Sequence, residues 1–109
     1  MSYPQRFSSS ELERIIEEAM IYMCACPAQV ANQILQLRQL IAYQQDCLTS
    51  PGNPGEVHRC IAAAAMDAHA RMEGCLDQVL DIEGWDRTTL RMPAGLRQLR
   101  DDLIDRDAG

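Results

Sequence analysis

The chain has 109 residues, a net charge of −6 and 47% apolar residues, with one Phe, one Trp and three Tyr, and all ten basic residues are Arg. That length supports one modest core, so a single helical domain over residues 1–109 is expected; the shortage of aromatic and β-branched residues disfavours sheets and favours helices packed through Ala, Leu and Ile. With Arg residues scattered from Arg6 to Arg106 rather than gathered in a patch, an acidic chain is a poor partner for nucleic acid or for an anionic membrane surface.

No apolar run nears the roughly 20 residues that span a bilayer, and residues 1–10 lack the hydrophobic core of a signal peptide. A cytoplasmic location is therefore expected. There the five cysteines, an odd number, would stay mostly reduced and would not form a disulfide framework.

The first element opens with Ser10 and Glu13 as a capping box. Leu12, Ile16, Ala19, Met23, Cys26, Val30, Ile34, Leu37, Ile41 and Leu48 follow at helical steps, and the residues before and after Pro27 fall on one stripe. This continuity of phase predicts a single helix over residues 11–48, kinked at Pro27 at a cost of about 3 kcal/mol. A break at Pro27 is the alternative; it would place Cys26 beside a new helix N-terminus and let Cys24 and Cys26 converge. On the continuous helix the two thiols point apart, with Cys26 buried beside the second helix and Cys24 exposed or at a subunit contact.

Residues 49–55, rich in Pro and Gly, break the chain. Asn53 as N-cap, Pro54 at the first position and Glu56 then start a helix over residues 54–83, with Gly84 as its stop. Its expected core stripe is Val57, Ile61, Ala64, Ala68, Met72, Cys75, Val79 and Ile82. Beside it runs a second stripe, His58, Ala62, Ala65, His69, Leu76 and Leu80, so the apolar arc is wider than one partner helix covers. After a connector over residues 85–92, Pro93 opens a short helix over residues 93–105. The expected fold is all-α, a long antiparallel helical hairpin with a short C-terminal helix, pairing into a four-helix-bundle-like dimer that covers the wide face.

An antiparallel hairpin with a tight loop pairs residues whose numbers sum to roughly 104, which brings Cys75 near the level of Cys24 and Cys26, and Cys60 near Cys47. Cys24, Cys26 and Cys75, with Met23 or Met72 nearby, have the soft character that suits copper, zinc or an iron–sulfur cluster. Buried cysteine also serves as a small hydrophobe, which is the plainer reading of Cys26 and Cys75. His58 and His69 share a face but stand about 16 Å apart along the axis, too far to share a metal, so each is read as a flanking residue with a satisfied ring nitrogen. The carboxylates read as solvated. No phosphate loop, nucleophile elbow or Glu-x-x-His pair is present.

Tyr22-Met23-Cys24-Ala25-Cys26, followed by Val30 and Ile34, resembles the start of the bacterioferritin-associated ferredoxin type of two-iron cluster domain, which begins with Cys-x-Cys before a helix. That family closes its cluster with a later Cys-x-x-Cys pair. Here the corresponding region offers only His58-Arg59-Cys60, and the helix preceding Cys24 has no counterpart, so the chain is not assigned to the family.

Two functions follow from these residues. One is a small interaction module without catalytic activity of its own, a homo-oligomer or a binder of a partner helix. The other is a soft-metal or iron–sulfur thiol protein using Cys24, Cys26 and Cys75.

Overall fold

The computed structural model describes residues 2–19, 26–52, 54–93, 95, 102, 104 and 105. Three helices carry the fold, α1 (Ser9–Ala19), α2 (Cys26–Leu48) and α3 (Gly55–Glu83), and the described residues contain no strand beyond an isolated bridge between Asp86 and Arg91. The chain is all-α, and α2 and α3 pack as a hairpin.

The start of α1 lies two residues earlier than the sequence suggests. Ser8, not Ser10, is the cap: its Oγ accepts from the Glu11 N–H at 3.0 Å, while the Ser8 N–H donates to Glu11 Oε1 at 2.9 Å. Both halves of a capping box are thus made, and the buried pair Phe7 and Leu12 flanks it as a hydrophobic staple.

The continuous helix over residues 11–48 is not what forms. Arg38 Nη1 donates to Ser9 Oγ at 3.0 Å, whereas on one straight helix those residues would stand about 44 Å apart. Instead, α1 folds back along α2. The physical reason is the place of Pro27, in the first turn of α2, where a missing N–H forfeits no helical bond. Folding back also buries Leu12, Ile15 and Ala19 in one cluster with Ala28, Ala31 and Ile34. The matching phase of the stripes across Pro27 therefore did not indicate continuity. Residues 20–25, with Cys24 and Met23 among them, lie outside the described residues.

The bounds of α3 agree with the expected residues 54–83, but its orientation does not. Ala62, Ala65, His69, Glu73, Leu76 and Leu80 are buried, while Val57, Ile61, Ala64, Cys75 and Ile82 are exposed. The stripe expected in the core is thus the outer one, rotated by one residue. Asn53, the expected cap, lies outside the described residues; Pro54 precedes the helix, and its carbonyl accepts from the Val57 N–H at 3.1 Å.

At the other end Gly84 adopts φ +76°. Its N–H donates to the Asp81 carbonyl at 3.1 Å and the Trp85 N–H donates to the Leu80 carbonyl at 2.9 Å, a Schellman stop with Trp85 and Leu80 both buried. Beyond it the connector folds onto the core. Asp86 Oδ1 accepts from the N–H groups of Thr88 and Thr89, Leu90 takes φ +56°, and Leu90 and Met92 are buried. Those two amides hold the Asp86 carboxyl below its usual pKa. Arg14 and Glu18 of α1 bind the connector at the Thr89 carbonyl and the Met92 N–H. Of the helix expected over residues 93–105, only residues 93, 95, 102, 104 and 105 are described, and 95, 102, 104 and 105 are helical.

The molecule extends 59 × 27 × 18 Å. The 29 residues of α3 run about 43 Å, whereas the 11 residues of α1 cover only about 16 Å of the hairpin.

Candidate functional site

Where the segment leading into α1 crosses α2 and α3, the core is polar. Arg38 on α2 and the i,i+4 pair His69 and Glu73 on α3 are all buried, the last two at 1% exposure. A buried carboxylate needs donors on every side, and Glu73 has them. Its two oxygens accept from the Arg6 N–H at 3.0 and 2.9 Å, and Oε2 also accepts from the Phe7 N–H at 3.1 Å and from Arg38 Nη2 at 3.1 Å.

Arg38 completes the arrangement with its planar fork of donors. Nε donates to His69 Nε2 at 3.0 Å, Nη1 to Ser9 Oγ, and Nη2 also to the Phe7 carbonyl. Arg38 and Glu73 thereby grip both the N–H and the C=O of Phe7, so side chains satisfy the backbone of this non-helical segment. The Phe7 ring is buried below, and the Arg87 guanidinium lies 5.8 Å from its centroid. Arg87 is paired in turn with Asp77 and Asp81, and its hydrogen bond holds the Asp77 carboxyl below the usual range.

Because His69 Nε2 accepts from Arg38, the proton of the neutral ring belongs on Nδ1, which faces Glu73 Oε1 at 3.7 Å. The Tyr3 ring covers His69 edge-on, with centroids 5.0 Å apart. Burial lowers the His69 pKa from its ordinary 6.5; the Glu73 charge opposes that shift and Arg38 adds to it. Residues 3–8 thus form a strap across the hairpin, fastened at Tyr3, Arg6 and Phe7.

Reading the carboxylates as solvated missed Glu73. A signal was there: with Glu73 included, positions 58, 62, 65, 69, 73, 76 and 80 form an unbroken helical stripe, and Arg38 stands at the matching level of α2. Hairpin register places Gln44 against His58 in the same way, with His58 Nδ1 2.6 Å from Gln44 Oε1. Both histidines therefore have a ring nitrogen engaged, as expected.

The thiols are placed differently from the expectation. Cys26 is exposed in the first turn of α2 and Cys75 is exposed on α3, because the helix begins at one and the rotated face leaves Leu76, not Cys75, toward the core. Cys60 is exposed and Cys47 half-buried. Cys24 lies outside the described residues, and among those described no three His, Cys, Asp or Glu side chains are grouped so as to hold a metal. Nor is any helix long and apolar enough to cross a membrane among these residues.

On the surface, the main feature among the described residues is the outer stripe of α3. Val57, Ile61, Ala64, Ala68, Met72, Cys75, Val79 and Ile82 recur at steps of three and four, with Val57 51% and Ile82 83% exposed. Comparison with protein-family models, characterised proteins and solved structures found no match for this chain.

Proposed function

We propose that the chain is a helical interaction module that works as a homodimer, two copies meeting along the outer stripe of α3. The observation that carries this reading is the exposure of Val57, Ile61 and Ile82 on a stripe of apolar and small residues about 38 Å long. A seam repeating at three and four residues is what one helix offers another in a coiled coil or bundle, and in a two-fold dimer each copy brings the same seam. Ala64 and Ala68 at its middle permit close approach of two backbones. Sedimentation velocity at micromolar concentration is expected to give a dimer, and the double variant Ile61→Asp, Ile82→Asp a monomer of unchanged helicity. A wild-type monomer over that range overturns the reading.

A second reading, a soft-metal or iron–sulfur protein using Cys24, Cys26 and Cys75, is favoured by one observation. The Cys26 thiol is free and exposed in the first turn of α2, where a metal ion can reach it. Elemental analysis after anaerobic purification from cells given iron, copper and zinc tests it. Stoichiometric metal lost on Cys26→Ser supports it; metal-free protein rejects it.

A further inference from the structure

We propose that the N-terminal strap, residues 3–8, is an acid-released latch whose trigger is His69. The geometry makes His69 an obligate acceptor: its Nε2 receives the Arg38 Nε–H at 3.0 Å in a site where His69 itself is 1% exposed. Adding a proton to Nε2 turns that acceptor into a donor and sets two cations face to face with no water between them to screen the repulsion. The groups facing the ring are Glu73 from α3, Arg38 from α2 and the Tyr3 ring from the strap itself. Of these only Glu73 carries compensating charge, and it is already committed to Arg38 and to the amides of Arg6 and Phe7.

Two responses remain, and both loosen the strap. If Arg38 withdraws from the imidazolium, it takes with it the bonds to Ser9 Oγ and the Phe7 carbonyl. If Glu73 turns toward the imidazolium 3.7 Å away, the Arg6 and Phe7 amides lose their acceptor. The outer fastenings do not replace these contacts: the Arg6 and Asp77 charges are 3.9 Å apart on the surface, and Arg87 reaches only the Phe7 ring. The hairpin below is also held by Ala31, Ile34, Leu76 and Leu80, a cluster to which the strap adds only Phe7, so opening is confined to the strap. Burial lowers the His69 pKa below 6.5, so the latch is closed near neutrality and opens as pH falls through the folded-state value.

The test is amide exchange by NMR on the intact chain between about pH 7.5 and 5, corrected for intrinsic exchange, with the His69 ring titration followed in the same samples. Protection of the Arg6 and Phe7 amides is expected to fall by up to about tenfold per pH unit between the ordinary imidazole value of 6.5 and the lower His69 midpoint, where opening takes up one proton, and to level off below it, while Leu76 and Leu80 stay protected. His69→Gln, which keeps an acceptor but cannot titrate, is expected to flatten that dependence. Unchanged strap protection in the wild type overturns the proposal, as does an equal loss in His69→Gln or a loss shared with Leu76 and Leu80. If the variant does not fold, the wild-type comparison decides alone: strap release with a midpoint apart from that of His69 overturns the proposal.

Discussion

The two stripes of α3 lie one residue apart along the same helix and have opposite fates. The inner one carries His58, His69 and Glu73 among its apolar residues and is buried against α2 from Ala62 to Leu80; the outer one contains no polar residue and stands largely open. Apolar content therefore does not choose the buried face here. What chooses it is whether each polar group finds partners: Glu73 has Arg38 and two backbone amides, His69 has Arg38, and His58 has Gln44. A fully paired polar cluster is buried without stranding a donor or acceptor, whereas an exposed apolar stripe forgoes its burial energy until a partner covers it.

The comparison breaks most sharply at Glu73. Glu73→Ala strands Arg38 in the core and frees the amides of Arg6 and Phe7, and a loss of about 3–5 kcal/mol is expected from urea unfolding. A loss below 1 kcal/mol, on the order of a surface substitution, would mean the cluster is not closed as described. Next comes the pair of equivalent truncations on the two stripes. Leu76→Ala should cost about 2–5 kcal/mol, while Ile82→Ala, at a side chain 83% exposed, should stay within about 0.5 kcal/mol at concentrations too low for association. Equal costs would put Ile82 in a packed interior. The smallest effect is at the cap, where Ser8→Ala should cost about 1 kcal/mol and Ser10→Ala close to nothing. Reversal of that order would return the helix start to Ser10.

Much of the scaffold was legible in the sequence because its signals are local. The bounds of α3, the stop at Gly84, the hairpin with α2 and the all-α class rest on Pro, Gly and the 3.6-residue period, which act within a few residues. The break between α1 and α2 was not legible. A proline costs a helix its hydrogen bond in the interior and nothing in the first turn, and only tertiary packing of Leu12, Ile15 and Ala19 distinguishes the two. The candidate site was missed for a related reason. Glu73 reads as solvated until it is known that residues 6 and 7 return to it across 66 intervening steps of sequence. Cys75 was misplaced with it, since its burial was inferred from the stripe that the polar cluster displaced, and Cys26 was misplaced because its burial assumed a helix continuous across Pro27.

The long separation between the strap and its acceptor also orders events during synthesis. Phe7 leads Glu73 by 66 positions, so at about 5–20 residues per second the strap is made roughly 3–13 s before the carboxylate that holds its amides. Arg38 is made in between, and α1 with α2 can already form a pair in which Arg38 grips Ser9 and Phe7. In that half-built pair the guanidinium is an uncompensated cation amid the apolar face of Ala31, Ile34 and Ile41. Its charge meets a buried counter-charge when α3 brings Glu73 to it.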